Sequence, residues 1–481
     1  HQGLTVDLYP EMRKAVNMLS VHKTLNCQLY VMASLWSMER GLDDCLLQND
    51  RGNIIESSSG NLFIVSNGVL YTPSLSDGCI GGVMRMQVIN LAIANGIAHL
   101  LIKAGTRDEE KGKEGLAHFI EHSLFKGTTH RKSYHILNRL EVVGGELNAY
   151  TTKEETCLHA SVMSRYFERA AELIADVAFH SIFPVKEIEK EKEVILDEIR
   201  AYQDTPYEQI FDDFEGQLFQ GHSLGHPILG TEESLRAFKR KDLIDYIARQ
   251  YDPANMIFAV SGNMGAEAVL GIAARYFNGP KKKKTTVSTR KPARAYRRTE
   301  QIQERAISQV HYITGRPSYG LKDPRRYTMV LFNNLLGGPG MNSRLNLNIR
   351  EKYGFTYTIE SGYHTYTDTG IFHVYFATDA SHFTRTEKLL QKELQVVCDK
   401  NISDKQLKQY KEQLIGQIQL AQENKLSVLL SMAKSQLNLG RIITLKEIGE
   451  RINAVTADGI REVANEMLTT DSRSLLVYQP K

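Results

Sequence analysis

Apolar residues along this chain follow two rhythms, one near 3.6 and one of 2, and the change between them marks its elements. Leu116, Phe119, Ile120 and Leu124 recur at helical spacing, which predicts an amphipathic helix that Gly127 would stop. The same rhythm predicts helices over 21–40, 83–94, 167–178, 185–202, 207–218, 242–250, 325–336 and 342–352, and more between 382 and 435. Alternating or short apolar runs predict strands at 44–48, 61–65, 69–71, 98–104, 155–163, 256–261, 306–316, 357–364 and 371–378. A further strand follows Gly144-Gly145, and Ser66-Asn67-Gly68 is read as a hairpin turn between the second and third of these strands.

Composition narrows the class. A chain of 481 residues has room for roughly three domains. The formal net charge of +3 sets up no field of one sign, so neither nucleic acid nor a membrane surface is an expected partner. Residues 281–302 are rich in Lys and Arg, poor in apolar residues and interrupted by Pro292. They read as a solvated basic linker between two α+β halves, 98–290 and 303–481. The five cysteines are odd in number and form no C-x-x-C pair, which argues against disulfides and thiolate zinc sites. That favours a reducing compartment, and the cytoplasm is the expected location. No apolar run reaches the roughly 18 residues of a membrane span. The chain opens on His1, so a native start further upstream is expected.

The candidate chemistry sits in the helix predicted around Leu116 to Leu124. His118, Glu121 and His122 form H-x-x-E-H, and positions i, i+3 and i+4 share one helix face. Two imidazoles one turn apart can hold a zinc ion, and the carboxylate beside them can hold the attacking water. A third ligand is sought in the acidic helix at 185–202, among Glu187, Glu189, Glu191, Glu193, Asp197 and Glu198. Glu191, Ile195, Glu198 and Tyr202 follow one stripe, which is expected to face inward, where a carboxylate needs a partner. Spacing alone leaves the choice among these acids open.

Residues 98–481 resemble the inverzincin peptidases of the pitrilysin and mitochondrial-processing-peptidase family. The segments that carry this are IKAGTRDEEKGKEGLAHFIEHSLFKGT, VVGGELNAYTTKEET, EIEKEKEVILDEI and GGPGMNSRLNLNIREKYGFTYTIESG, in that order. The resemblance implies an α+β fold of two similar α/β-sandwich halves and a zinc-dependent endopeptidase acting on extended or unfolded peptides. It implies one zinc per chain on His118, His122 and Glu198, the last standing 76 residues past the second histidine. Glu121 matches the general base, and Glu191 matches an acid that fixes a ligand histidine. Asn148 and Ala149 match the strand edge against which substrates lie. Arg350 and Tyr357 match the pair that grips the substrate carbonyl. Relatives of this length pair into a closed chamber, so a homodimer, or pairing with a related subunit, is expected. A non-catalytic subunit is the alternative within the family, and the intact motif argues against it. The family's first strand should precede residue 98; either the first sheet lacks it or residues 88–97 supply it.

Residues 1–97 resemble the C-terminal half of a class IV, branched-chain-type pyridoxal-phosphate aminotransferase. The matching segments are YPEMRKAVNMLSVHKTLN, DDCLLQNDRGNIIESSSGNLFIVSNGVLYTP and LSDGCIGGVMRMQVINLA. The resemblance implies Lys23 as the Schiff-base lysine, Glu56 beside the pyridine nitrogen, and Val83 and Met84 at the phosphate. Aminotransferase activity is the alternative function from another class. The family's other domain is absent, so pyridoxal phosphate is not expected to bind.

Overall fold

The computed structural model describes residues 3–16, 27–66, 69–82, 84–85, 96–278, 290–293 and 296–481. They fall into two units, His1–Asn95 and Gly96–Lys481. No described helix is long and apolar enough to cross a membrane.

In the first unit, β1 (Val6–Leu8), β2 (Asp44–Gln48) and β3 (Ile54–Ser57) form one sheet, with β1 parallel to β2. The helix α1 (Gln28–Glu39) belongs to the same small core, where Ala33 and Trp36 meet Tyr9, Cys45, Leu47 and Ile55. β4 (Ile64–Ser66) and β5 (Val69–Tyr71) make the predicted hairpin, although its turn at 67–68 lies outside the described residues. Of the predicted helix at 83–94, only residues 84 and 85 are described.

The second unit is built twice on one plan. Its first half contains β6 (Gly96–Ile102), α2 (Leu116–Leu124), α3 (Ser133–Glu141), β7 (Glu146–Thr151) and β8 (Thr156–Val162). It continues through α4 (Phe167–His180), α5 (Val185–Gln203), α6 (Pro206–Leu218) and β9 (Met256–Gly262). The antiparallel sheet runs β7-β8-β6-β9, and α2, α4 and α5 bury their apolar faces on one side of it. The second half contains β10 (Glu300–Arg305), β11 (Val310–Ser318), α7 (Arg326–Gly337), β12 (Thr358–Thr365), β13 (Gly370–Thr378), α8 (Lys425–Leu439) and β14 (Ser474–Pro480). Its sheet runs β12-β13-β11-β14-β10. The order is that of the first sheet with one strand added, β10, which lies parallel to β14. Among the described residues β9 has no such neighbour, and its side chains are half-buried where those of β14 are mostly buried. The described part of the first sheet thus lacks the added strand; residues 88–95 lie outside the described set, while Gly96 and Ile97 join β6.

Each half also covers the back of the other's sheet. Ile210, Phe214 and Leu218 of α6 pack against Ile313, Tyr375 and Leu476. In return, Ala433 of α8 packs on Leu101 and Cys157. Arg107 ties the halves polarly, holding Glu154 at 2.6 Å and Asp368 at 2.7 Å.

Two expectations need correction here. The basic linker is not wholly solvated: the Arg290 side chain is largely buried and pairs with Asp108 at 2.8 Å. A buried guanidinium needs such a carboxylate to offset its desolvation. The strand expected at 306–316 is β11, which begins at Val310, and an additional strand, β10, lies before it and begins inside the predicted linker. The burial pattern of β10 is mostly exposed, so composition alone made it look like solvated chain.

Candidate metal centre

Helix α2 begins at a glycine for two reasons. Gly115 has φ +88°, and a Cβ there would stand 2.6 Å from the Leu229 carbonyl oxygen. The opening amides of the helix are taken by the Glu109 carboxylate, which accepts from Gly115 N at 2.9 Å and Ala117 N at 2.8 Å. A carboxylate at this end satisfies orphan N–H groups and complements the helix dipole. Phe119, Ile120 and Leu124 are fully buried, which turns His118, Glu121 and His122 toward α5.

The structure brings His118, His122 and Glu198 together, with donor atoms all within 4.8 Å of one another. His118 Nε2 lies 3.9 Å from one Glu198 oxygen, and His122 Nε2 lies 3.7 Å from the other. Tetrahedral zinc with bonds of about 2.0–2.1 Å separates its donors by about 3.3 Å, so small side-chain adjustments close the set. The inward stripe of α5 is only partly borne out. Glu191 and Ile195 are buried, but the Glu198 side chain is 44% exposed. It faces the two histidines from a half-exposed position rather than from the core.

Electrostatics suit a cation. Burial, helped by the neighbouring His122, holds the His118 pKa down to about 3, so its imidazole is neutral and available as a ligand. Burial pushes the Glu121 carboxyl above its ordinary value, against the opposing influence of Thr151 and His122. His118 Nδ1 and Glu121 Oε2 are buried with no hydrogen-bond partner. A buried carboxylate oxygen without a donor is costly, and a water held beside the histidines would supply one. These residues fit a zinc ion.

Around the cluster, Glu191 Oε2 lies 3.4 Å from His122 Nδ1, and its other oxygen pairs with Lys126 at 2.6 Å. Asn148 and Ala149 sit on β7, an edge strand of the sheet, and the Ala149 N–H donates to the Asn148 side chain at 2.8 Å. Arg350 and Tyr357 are not joined to the cluster by any bond. Arg350 lies in a π-helical turn (Asn346–Glu351) with Glu351 at 3.8 Å, and Tyr357 is 87% exposed. Lys126 and Glu109 escaped the sequence reading, because one follows the motif helix and the other sits in a loop with no periodicity.

In the first unit, Lys23 and Val83 lie outside the described residues. Glu56 is buried, but Lys14 at 2.8 Å, Tyr30 at 2.6 Å and the Ile80 amide at 2.8 Å already hold it. Met84 is 71% exposed. Of the four residues matched to pyridoxal phosphate, Glu56 and Met84 are the described ones.

Comparison with known proteins gives matches of two kinds. The profile described as insulinase, peptidase family M16, matches residues 94–232, and the peptidase M16 inactive domain matches 237–414. A class IV aminotransferase profile matches residues 4–105. The chain is 31% identical to an uncharacterized zinc protease of Bacillus subtilis over 399 residues, covering 83% of this chain and 97% of that one. It is 32% identical to an uncharacterized zinc protease of Rickettsia felis, covering 82% and 95%. Among solved structures, a peptidase M16 inactive domain from Pseudomonas fluorescens superposes with a TM-score of 0.74 at 20% identity, covering 81% of this chain and 94% of that one. A protease from Helicobacter pylori gives 0.74 at 18% identity, covering 80% and 95%. These two show the fold.

Proposed function

We propose that this chain, which belongs to peptidase family M16, is a zinc-dependent metalloendopeptidase acting on extended or unfolded peptides. The observation that carries this is the convergence of His118, His122 and Glu198 on one point, beside a buried Glu121 oxygen that lacks a donor. Three protein ligands leave a fourth position open, the mark of a catalytic rather than a structural site. When bound, zinc would supply Lewis-acid polarisation of water and of the scissile carbonyl.

The chain's own residues do the rest. Glu121 Oε2 accepts a proton from the attacking water and returns it to the leaving amine, a task helped by its raised pKa. Glu191, itself anchored by Lys126, orients the His122 ring from behind. The open edge of β7 at Asn148 and Ala149 would hold the peptide by main-chain pairing, which gives affinity with little side-chain selectivity. Arg350 and Tyr357 would meet the carbonyl of a substrate held by a second subunit, in a homodimer with composite sites.

The test uses an unfolded peptide and the full chain. Glu121→Gln should retain zinc through dialysis while cleavage falls by roughly 100-fold or more. Wild-type cleavage by that variant would refute the assignment.

A further inference from the structure

Apart from that centre, the described residues hold one other group of metal-type donors: His130, Asp176 and His180, whose donor atoms lie within 4.8 Å of one another. Asp176 is the buried member, its side chain 3% exposed. Its Oδ2 accepts from Arg131 at 2.6 Å and from the Thr128 hydroxyl at 2.9 Å. Its Oδ1 faces two imidazoles, His130 Nδ1 at 2.6 Å and His180 Nδ1 at 3.5 Å. Burial acts to raise the Asp176 pKa, but His130, Arg131 and Thr128 together hold it below the ordinary value, so the carboxylate is ionised.

The setting is firm. Asp176 and His180 are one turn apart on α4, and His180 is the last residue of that helix. The carbonyl end of a helix favours a cation. The loop carrying His130 is fastened to the same helix end: Thr129 N donates to the His180 carbonyl at 2.9 Å, and Ile182 N to that of Gly127 at 3.1 Å. The Arg131 charge is already met by Asp176 and by Glu172 at 2.8 Å. Both imidazoles reach solvent, with 57% of His130 and 44% of His180 exposed.

We propose that His130, Asp176 and His180 form a second divalent-metal site, of zinc type, with solvent completing the coordination. The separation of Asp176 and His180 already suits donors sharing one ion, which lie about 3.3 Å apart. The exposed His130 ring need only withdraw from its hydrogen bond by under about 1 Å to join them. Two imidazoles and one carboxylate favour zinc over calcium or magnesium, which prefer oxygen donors. Bound there, the metal would pin the loop between α2 and α3 to the end of α4.

The experiment is a zinc count on the full, untagged chain, freed of metal by chelator, reloaded and dialysed. Cobalt substitution gives a second readout through its visible absorption. The wild type should hold two equivalents, and both His130→Ala/His180→Ala and His118→Ala/His122→Ala should hold one. The protein carrying all four changes should hold none. If the alanine pair disturbs folding, His130→Gln, which can still bond Asp176, should lose the same equivalent. Unchanged zinc content and cobalt spectrum in His130→Ala/His180→Ala would overturn the second site. Failure of the first site alone would appear as one equivalent in the wild type that His130→Ala/His180→Ala abolishes.

Discussion

His122 Nδ1 and Glu191 Oε2 stand 3.4 Å apart, while the opposite ring nitrogen of His122 faces Glu198 at 3.7 Å. The two carboxylates of α5 therefore address the two sides of one imidazole. Glu191 is buried and fixed by Lys126; Glu198 is the freer of the pair.

Removing the charge behind His122 should loosen the metal. Glu191→Gln is expected to weaken zinc affinity by roughly 10- to 100-fold, the usual effect of losing a partner behind a ligand histidine. Competition with a chelator of known affinity measures it. Glu193→Gln on the exposed face of α5 should change nothing.

Composite sites predict complementation. Glu121→Gln and Tyr357→Phe should each be inactive alone, whereas a mixed dimer contains one site intact in both contributions. Peptide cleavage by verified mixed dimers should recover part of the wild-type rate. No recovery would mean that the Tyr357 contribution does not come from a second subunit.

Gly115→Ala tests the start of α2. The left-handed backbone costs about 1–3 kcal/mol for a residue with a Cβ, and the contact with Leu229 adds overpacking. A loss of about 2–4 kcal/mol is expected from the urea midpoint. Zinc affinity should fall with it, since the same turn positions His118.

His99 should make the protein acid-sensitive. It is buried on β6 beside His159 and Cys157, and burial lowers its pKa to about 4 from an ordinary 6.5. With the folded value below the unfolded one, the unfolded chain binds the extra proton between those limits. Stability is therefore complete above pH 6.5 and declines as pH falls toward 4, by on the order of 3 kcal/mol at 1.36 kcal/mol per unit. In His99→Phe the unfolding midpoint, followed from pH 7 to 4, should fall less steeply than in the wild type.

The local signals were legible because local geometry is rigid. A helix places positions i, i+3 and i+4 on one face whatever surrounds it, so His118, Glu121 and His122 could be read as a unit. A short apolar run likewise marked β6, and alternation marked β12 and β13. In the first unit the hairpin strands β4 and β5 follow the predicted runs, while Lys23 and Val83 lie outside the described residues.

Other features were decided only by packing between distant segments. The way α5 packs left Glu198 half-exposed while Glu191 went inward, although both lie on one stripe. Glu109 caps α2, Arg290 docks on Asp108, and His130 meets Asp176 across 46 residues. The exchange of α6 and α8 between the halves belongs with these. No spacing encodes such contacts, because they follow from which apolar faces must be covered once the sheets have formed.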